Sequence, residues 1–400
     1  MNQHRPTWCD VDLGAIRANV GALLDAARPA ALMAVVKADG YGHGAVPVAR
    51  AALDAGASWL GVALVEEGAE LRSAGIDARV MLLSEPPVAA AAEVVALRLT
   101  PIVYSAPGIE ALAKAVAADA GDQPLPVHLK VDTGMHRVGC LPADAIARVE
   151  AIASRDELRL EGVCTHLAVA DEPANPYTAE QIARFERVLA DLDARGLRPP
   201  VVHAANSAGL LAFPDARYDL ARAGIATYGI PPSPTLASHV PLRPALSFRS
   251  HVSHVKELPA GSRLSYGLRY SMDRPGRVAT VPVGYADGVP RGLAAAGGDV
   301  LVGGRRRPIA GTVTMDQLMV DVGDDEVEVG DEVVLIGRQG DDEVTAAEWG
   351  ERMGTIAYEI VCGIGGRVPR RYVTVRTSGP EGVAPANLFE DGPAPSEGAV

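Results

Sequence analysis

Four hundred residues are more than one hydrophobic core usually organises, so the chain reads as two domains. Hydrophobic side chains make up 48% of it and the formal net charge is -13, which argues against nucleic acid and anionic membrane as partners. The four cysteines, Cys9, Cys140, Cys164 and Cys362, show no CxxC pair, zinc spacing or disulfide framework, and read as reduced, mostly buried thiols in a cytosolic protein.

The start, Met1 to Pro6, is polar and lacks an apolar signal core, which supports a cytoplasmic reading. Thr7–Asp12 reads as a strand that lies before the main repeat and could pair with the C-terminal part. From Ala31 to about Gly229, short apolar runs alternate with Ala-rich helical patterns. The strand candidates are Leu32–Lys37, Trp59–Leu64, Arg79–Ser84, Leu99–Tyr104, Val127–Val131, Leu160–His166, Val201–Ala205 and Leu220–Tyr228. The clearest helix is Tyr177 to Arg195, with Thr178 and Gln181 as a capping box and Gly196 past its end. Such strand–helix units fit a (β/α)8 TIM-like barrel better than an open doubly wound sheet. After about Pro244 the period changes to Val-rich strands separated by Gly, Asp and Pro turns, which means a mainly antiparallel β C-terminal domain. The expected division is an N-terminal strand over 1–12, a cofactor-binding barrel over 13–244, a β domain over 245–377 and a disordered tail over 378–400.

Active residues of such a barrel sit at C-terminal strand ends. Lys37 closes the first strand, in a chain whose only other lysines are Lys114, Lys130 and Lys256. A primary amine there suggests covalent attachment to a carbonyl, which arginine cannot perform. Asp132 to Arg137 follow the fifth strand, His166 ends the sixth, Asn206 and Ser207 follow the seventh, and Arg222, Gly224 and Ile225 belong to the eighth. Ser207 and the Gly224–Ile225 backbone could cradle a phosphate. A lysine attachment point with a phosphate cradle points to pyridoxal phosphate. Arg222 is the candidate to face the pyridine nitrogen, and metal ligation is not expected.

Val36-Lys37-Ala38-Asp39-Gly40-Tyr41-Gly42-His43-Gly44 resembles the cofactor-lysine signature of alanine racemases. Lys130 to Gly139, Asn206-Ser207, Arg222 to Ile225, Ser265-Tyr266-Gly267, Gly284 to Gly288, Thr314 to Gln317 and Tyr358-Glu359 are similar to further motifs of that family, in the family's order. The resemblance implies a pyridoxal 5'-phosphate enzyme that interconverts L- and D-alanine with two bases and supplies D-alanine for peptidoglycan. It implies that Lys37 carries the cofactor and is the base on the D side. Tyr266, from the other subunit of a homodimer, is then the base on the L side. Tyr41, Ser207, Gly224, Ile225 and Tyr358 hold the phosphate beside Asn206, and His166 supports Arg222. Arg137 and the backbone N–H of Met315 of the partner subunit meet the substrate carboxylate, Lys130 is a candidate N6-carboxylysine, Tyr285 lines the entrance and Asp316 is a supporting residue.

Thr312, Thr314, His136 and Leu167 depart from the commoner family pattern, which bears on the entrance and on inhibitor sensitivity. The competing readings are a decarboxylase of basic amino acids or diaminopimelate, a broad-specificity or serine racemase, and a non-catalytic pyridoxal-phosphate-binding protein of the same barrel type. His43, His128, His203, His251 and His254 read as structural or surface residues, and Arg305-Arg306-Arg307 as a solvated turn.

Overall fold

The computed structural model describes residues 4–119 and 123–374, so the tail expected over 378–400 lies outside the described residues. The first strand, β1 (Thr7–Asp12), precedes eight short strands: β2 (Ala31–Val35), β3 (Trp59–Val62), β4 (Arg79–Leu82), β5 (Thr100–Val103), β6 (Leu125–Lys130), β7 (Leu158–Cys164), β8 (Val201–His203) and β9 (Leu220–Ala223). They pair in parallel in the order β8-β7-β6-β5-β4-β3-β2-β9. Backbone bonds from Asp219 N–H to Val202 O (3.0 Å) and from Arg222 N–H to Ala205 O (3.0 Å) bring the two ends of the sheet together. The result is a nearly closed (β/α)8 barrel. Strands β2 and β3 are unbroken apolar runs because helices cover the outside and side chains fill the inside, whereas β6 to β9 also carry His128, Lys130, Glu161, His203 and Arg222. The apolar runs outlast the ladders: Val36, Lys37, Ala205 and Ile225 have already left the sheet to turn over the barrel mouth.

The remaining strands are β10 (Leu246–His251), β11 (His254–Leu258), β12 (Arg263–Leu264), β13 (Tyr270–Ser271), β14 (Gly276–Val281), β15 (Asp299–Val302), β16 (Arg305–Pro308), β17 (Leu318–Gly323), β18 (Glu332–Gln339), β19 (Asp342–Val344) and β20 (Arg370–Val373). One sheet runs β16-β15-β18-β10-β1-β20, with β19 beside β18; a second runs β11-β14-β17 and a ribbon joins β12 to β13. The N-terminal strand thus belongs to the C-terminal architecture: β1 pairs antiparallel with β10 and parallel with β20. Among the described residues, no helix is long and apolar enough to cross a membrane.

Two local expectations are corrected. The helix Tyr177–Ala194 forms, but without the Thr178–Gln181 capping box. Gln181 is buried and turns inward: its Oε1 accepts from Ala168 N–H (2.8 Å) and its Nε2 donates to His166 O (3.1 Å). Arg305–Pro308 is not a solvated turn but a strand paired with β15. Arg306 donates to Glu348 (2.6 Å) and Asp342 (3.1 Å), and Arg307 pairs with Asp325. Paired carboxylates carry the charge of Arg306 and Arg307, while Arg305 stays largely exposed.

Candidate active site

Lys37 opens a turn with unusual backbone geometry. Ala38, Asp39, Gly40 and Tyr41 all have positive φ (52, 50, 60 and 52°), which makes a short left-handed helical turn. Only Gly40 adopts this cheaply; each L-residue costs about 1–2 kcal/mol. Contacts on every side hold the turn. Glu67 Oε1 accepts from Ala38 N–H (2.6 Å), while Glu67 Oε2 accepts from Ala63 N–H (2.7 Å) and Leu64 N–H (3.1 Å) at the end of β3. Asp39 Oδ1 accepts from Ala45 N–H (2.8 Å) and so caps the next helix, Ala45–Asp54. A Cβ on Gly42 would overlap the Val361 carbonyl, and one on Gly44 would overlap the Tyr372 ring. Arg370 Nε donates to Gly42 O (2.9 Å). The lysine turn is therefore clamped between the barrel and the C-terminal segment. Burial, and then the charge of Arg137, hold the Lys37 amine below its usual value.

Across the barrel mouth lies a cradle. Ser207 follows the Asn206 cap, whose Oδ1 accepts from Gly209 N–H (2.9 Å). Ser207 Oγ accepts from Gly224 N–H (2.8 Å). A Cβ on Gly224 would stand 2.6 Å from Tyr41 Oη, so only glycine lets the tyrosine hydroxyl reach this backbone. The Tyr41 ring lies 4.9 Å from Tyr228 and 6.1 Å from Tyr358, centroid to centroid, and Ile225 is fully buried beneath. The Tyr41 and Ser207 hydroxyls and short loop amides converge here beside the Tyr358 ring, a donor set suited to a phosphate.

Arg222 is buried beside the cradle without a carboxylate partner in contact. Its NH1 donates to His203 Nδ1 (2.7 Å), and its NH2 donates to Thr165 O (2.9 Å), Ala204 O (2.9 Å) and His166 Nδ1 (3.1 Å). Burial and then the Arg222 charge push the His166 and His203 imidazoles well below the ordinary histidine range, so both are neutral acceptors. The guanidinium cannot rotate without losing several bonds. Lys130 is also buried; burial, with Arg222 and Arg137 against Cys164, lowers its amine to about 8. Arg137 rides on a loop whose Asp132 Oδ1 accepts from Gly134 N–H (2.9 Å) and His136 N–H (3.0 Å). Tyr177 and Arg184 fasten that loop, donating to Gly134 O (2.9 Å) and Thr133 O (2.9 Å).

The other predicted residues sit elsewhere, in the C-terminal β part. Tyr266 is 73% exposed at the end of the β12–β13 ribbon. Thr312 Oγ1 donates to the Tyr266 carbonyl (2.9 Å), and Ser265 Oγ donates to the Thr312 carbonyl (2.6 Å). Tyr285 and Met315 are exposed on adjoining loops joined by Tyr285 N–H to Thr314 O (3.0 Å) and Ala286 N–H to Met315 O (3.1 Å). Asp316 accepts from Arg367 (2.8 Å). The chain thus gathers Lys37, Tyr41, His166, Ser207, Arg222, Gly224 and Tyr358, and displays Tyr266, Tyr285 and Met315 outward.

Residues 11–232 match the family model described as alanine racemase, N-terminal domain, and residues 245–372 match alanine racemase, C-terminal domain. The chain belongs to the alanine racemase family. A relative named alanine racemase from Symbiobacterium thermophilum is 52% identical over 369 residues, 92% of this chain and 97% of that protein. One from Thermobifida fusca is 48% identical over 366 residues, 90% of this chain and 96% of that protein. The crystal structure of alanine racemase from the D-cycloserine-producing Streptomyces lavendulae superposes with a TM-score of 0.87 at 43% identity, covering 94% of this chain and 99% of that one. The resemblance read from the ordered motifs, and the racemase class with it, is borne out.

Sequence reasoning passed over Glu67, which staples the lysine turn; it read His128 and His203 as structural or surface residues, and both are fully buried in the barrel interior. A glutamate in the first turn of a helix that follows a strand was the available signal for Glu67. Thr312 stood out only as a departure; in the fold it carries the Tyr266 backbone.

Proposed function

We propose that this chain racemises alanine with pyridoxal phosphate, from two sites each completed by a partner copy. The observation that carries the reading is the lysine turn: an amine lowered by burial, held on a strained backbone whose Tyr41 hydroxyl reaches the Ser207–Gly224 cradle. The residues fit the cofactor. The close approach of Tyr41 Oη to Gly224, which a single Cβ would block, leaves a cradle of hydroxyls and amides, and Arg222 is locked beside it. When bound, pyridoxal phosphate supplies an electron sink for the amino acid's α-carbon. Lys37 holds the cofactor and exchanges the α-proton on one face. Tyr41, Asn206, Ser207, Gly224, Ile225 and Tyr358 hold the phosphate, and Arg222, set by His166, faces the ring nitrogen. Arg137 and the N–H of Met315 of the partner subunit bind the substrate carboxylate, with Tyr285 at the entrance and Asp316 in support.

Tyr266 of the partner subunit exchanges the proton on the opposite face. Its support is the exposure of Tyr266, Leu268, Tyr285 and Met315 together on one protomer, an apolar display that a C2 interface would cover. In this reading the barrel over 13–244 holds the cofactor, and the domain over 245–377 lends Tyr266 to the neighbour, in the cytoplasm, for peptidoglycan D-alanine. Lys130, with an amine near 8, has enough neutral nitrogen to add carbon dioxide as a carbamate. Carbon-13 NMR in labelled bicarbonate reads that adduct.

The deciding experiment follows L- and D-alanine, with L-serine beside them, by polarimetry. Lys37→Ala is expected to lose cofactor attachment and activity. Tyr266→Phe is expected to keep the cofactor and lose about 10²–10⁴ in rate, the usual share of one acid–base group. Undiminished racemisation by Tyr266→Phe would sink the two-base assignment.

A further inference from the structure

Barrels of this kind usually fill their interior with layers of Val, Ile and Leu. Here a line of polar groups crosses it. Arg222 NH1 meets His203 Nδ1 at 2.7 Å; His203 Nε2 meets His128 Nδ1 at 2.9 Å; His128 Nε2 meets Glu161 Oε2 at 3.4 Å. Both histidines are fully buried and Glu161 is 4% exposed. Arg79 (3.2 Å) and Arg159 (3.1 Å) close the line at Glu161 Oε1.

The line has one direction. Guanidinium only donates, so His203 Nδ1 accepts and its proton lies on Nε2. That proton goes to His128 Nδ1, which leaves the His128 proton on Nε2, facing a carboxylate that only accepts. Space for the arrangement is built in: a Cβ on Gly162 would overlap the His128 ring and stand 2.7 Å from Val201 O. The Trp59 ring abuts His128 edge-on at 5.7 Å. Burial alone would raise the Glu161 carboxyl, but His128 and Arg79 hold it down at about 2. Glu161 therefore stays a fixed anion, and the first carboxylate reached from Arg222 along these bonds.

We propose that Glu161 is a remote positioning residue for Arg222: through His128 and His203 it imposes one tautomer on each ring and so fixes the guanidinium that faces the cofactor. A buried charge without a neighbouring counter-ion needs such compensation. The inference rests on Arg222 facing the cofactor ring, but the relay itself is testable without cofactor.

Imidazole nitrogens are assigned by long-range proton–nitrogen correlation on the full-length protein labelled in histidine, first stripped of cofactor and then loaded. Both rings are expected as neutral Nε2–H tautomers in the parent. In Glu161→Gln the amide can present oxygen or NH₂ to His128, so only Arg222 still enforces the direction; in molecules that present NH₂ both rings reverse their protons and the Arg222–His203 bond is given up. A second signal set for His128 and His203 is expected, with kcat down about tenfold, KM unchanged and cofactor retained. A parent His203 protonated at Nδ1 would overturn the relay whether or not the variant folds. Unchanged imidazole signals in Glu161→Gln, or altered signals with unchanged kcat, would overturn it too. If the relay stands in the stripped protein but loading leaves the rings and Arg222 untouched, the error lies in the placement of Arg222 against the cofactor.

Discussion

Replacing Glu67 removes the side chain that ties the lysine turn to the barrel. Ala38, Asp39 and Tyr41 hold positive φ without glycine's freedom, a strain of ~3–6 kcal/mol at about 1–2 per residue. Against it stand three N–H bonds to one carboxylate, at 2.6, 2.7 and 3.1 Å. Bonds to a charged acceptor are worth about 1.5–3 kcal/mol when shielded, but Ala38 is exposed and Glu67 half-buried, so ~1 kcal/mol each is the fitting scale. Glu67→Ala should then cost ~3 kcal/mol. At about 2–4 °C per kcal/mol for a domain of this class, the melting midpoint should fall roughly 6–12 °C. Glu67→Gln should cost about a third to a half of that, because its NH₂ must face a donor on one side. Cofactor affinity, titrated by absorbance, should weaken in the same order. A Glu67→Ala protein with the parent's midpoint and the parent's cofactor affinity would refute the view that this carboxylate holds the turn.

Gly42→Ala meets both positive φ and the Val361 carbonyl, so a loss of more than about 2 kcal/mol is expected in urea unfolding, together with poorer cofactor loading. Thr312→Val removes the hydroxyl that holds the Tyr266 carbonyl; about a tenfold loss in kcat is expected with a nearly unchanged melt. Burial, opposed in part by a bond to Tyr41 O, depresses the His43 imidazole to about 4. The unfolded chain takes up that proton near the usual 6.5 and the folded chain does not, so this stability is present above 6.5 and is lost as pH falls toward 4. The window is worth up to about 3 kcal/mol for this group, and His43→Gln should flatten the dependence in urea titrations between those pH values.

The barrel was legible because many buried parallel strands are plain apolar runs: Leu32 to Val36 and Trp59 to Leu64 announce themselves. The site was legible where single residues stand at strand ends, as with Lys37, His166 and Arg222. The left-handed turn was not, since no local preference puts Ala38, Asp39 and Tyr41 there; tertiary contacts with Glu67 and Val361 impose it. The histidine line was hidden for a related reason. His128 and His203 are 75 residues apart and meet only across the barrel, and nothing local separates a relay from packing. Arg305 to Arg307 misled because charge density signals solvent, whereas Asp325, Asp342 and Glu348 arrive from distant segments.

The grip of Val361, Arg370 and Tyr372 on Gly42 and Gly44 makes the order of assembly consequential. A barrel cut free after residue 244 would retain the lysine, Arg222 and the Ser207–Gly224 part of the cradle, yet lose Tyr358 and the wall that keeps the lysine backbone bent. Such a fragment should relax there and bind cofactor feebly. A chimera that borrows another member's β domain inherits not only its exposed tyrosine but the shape of its own lysine turn.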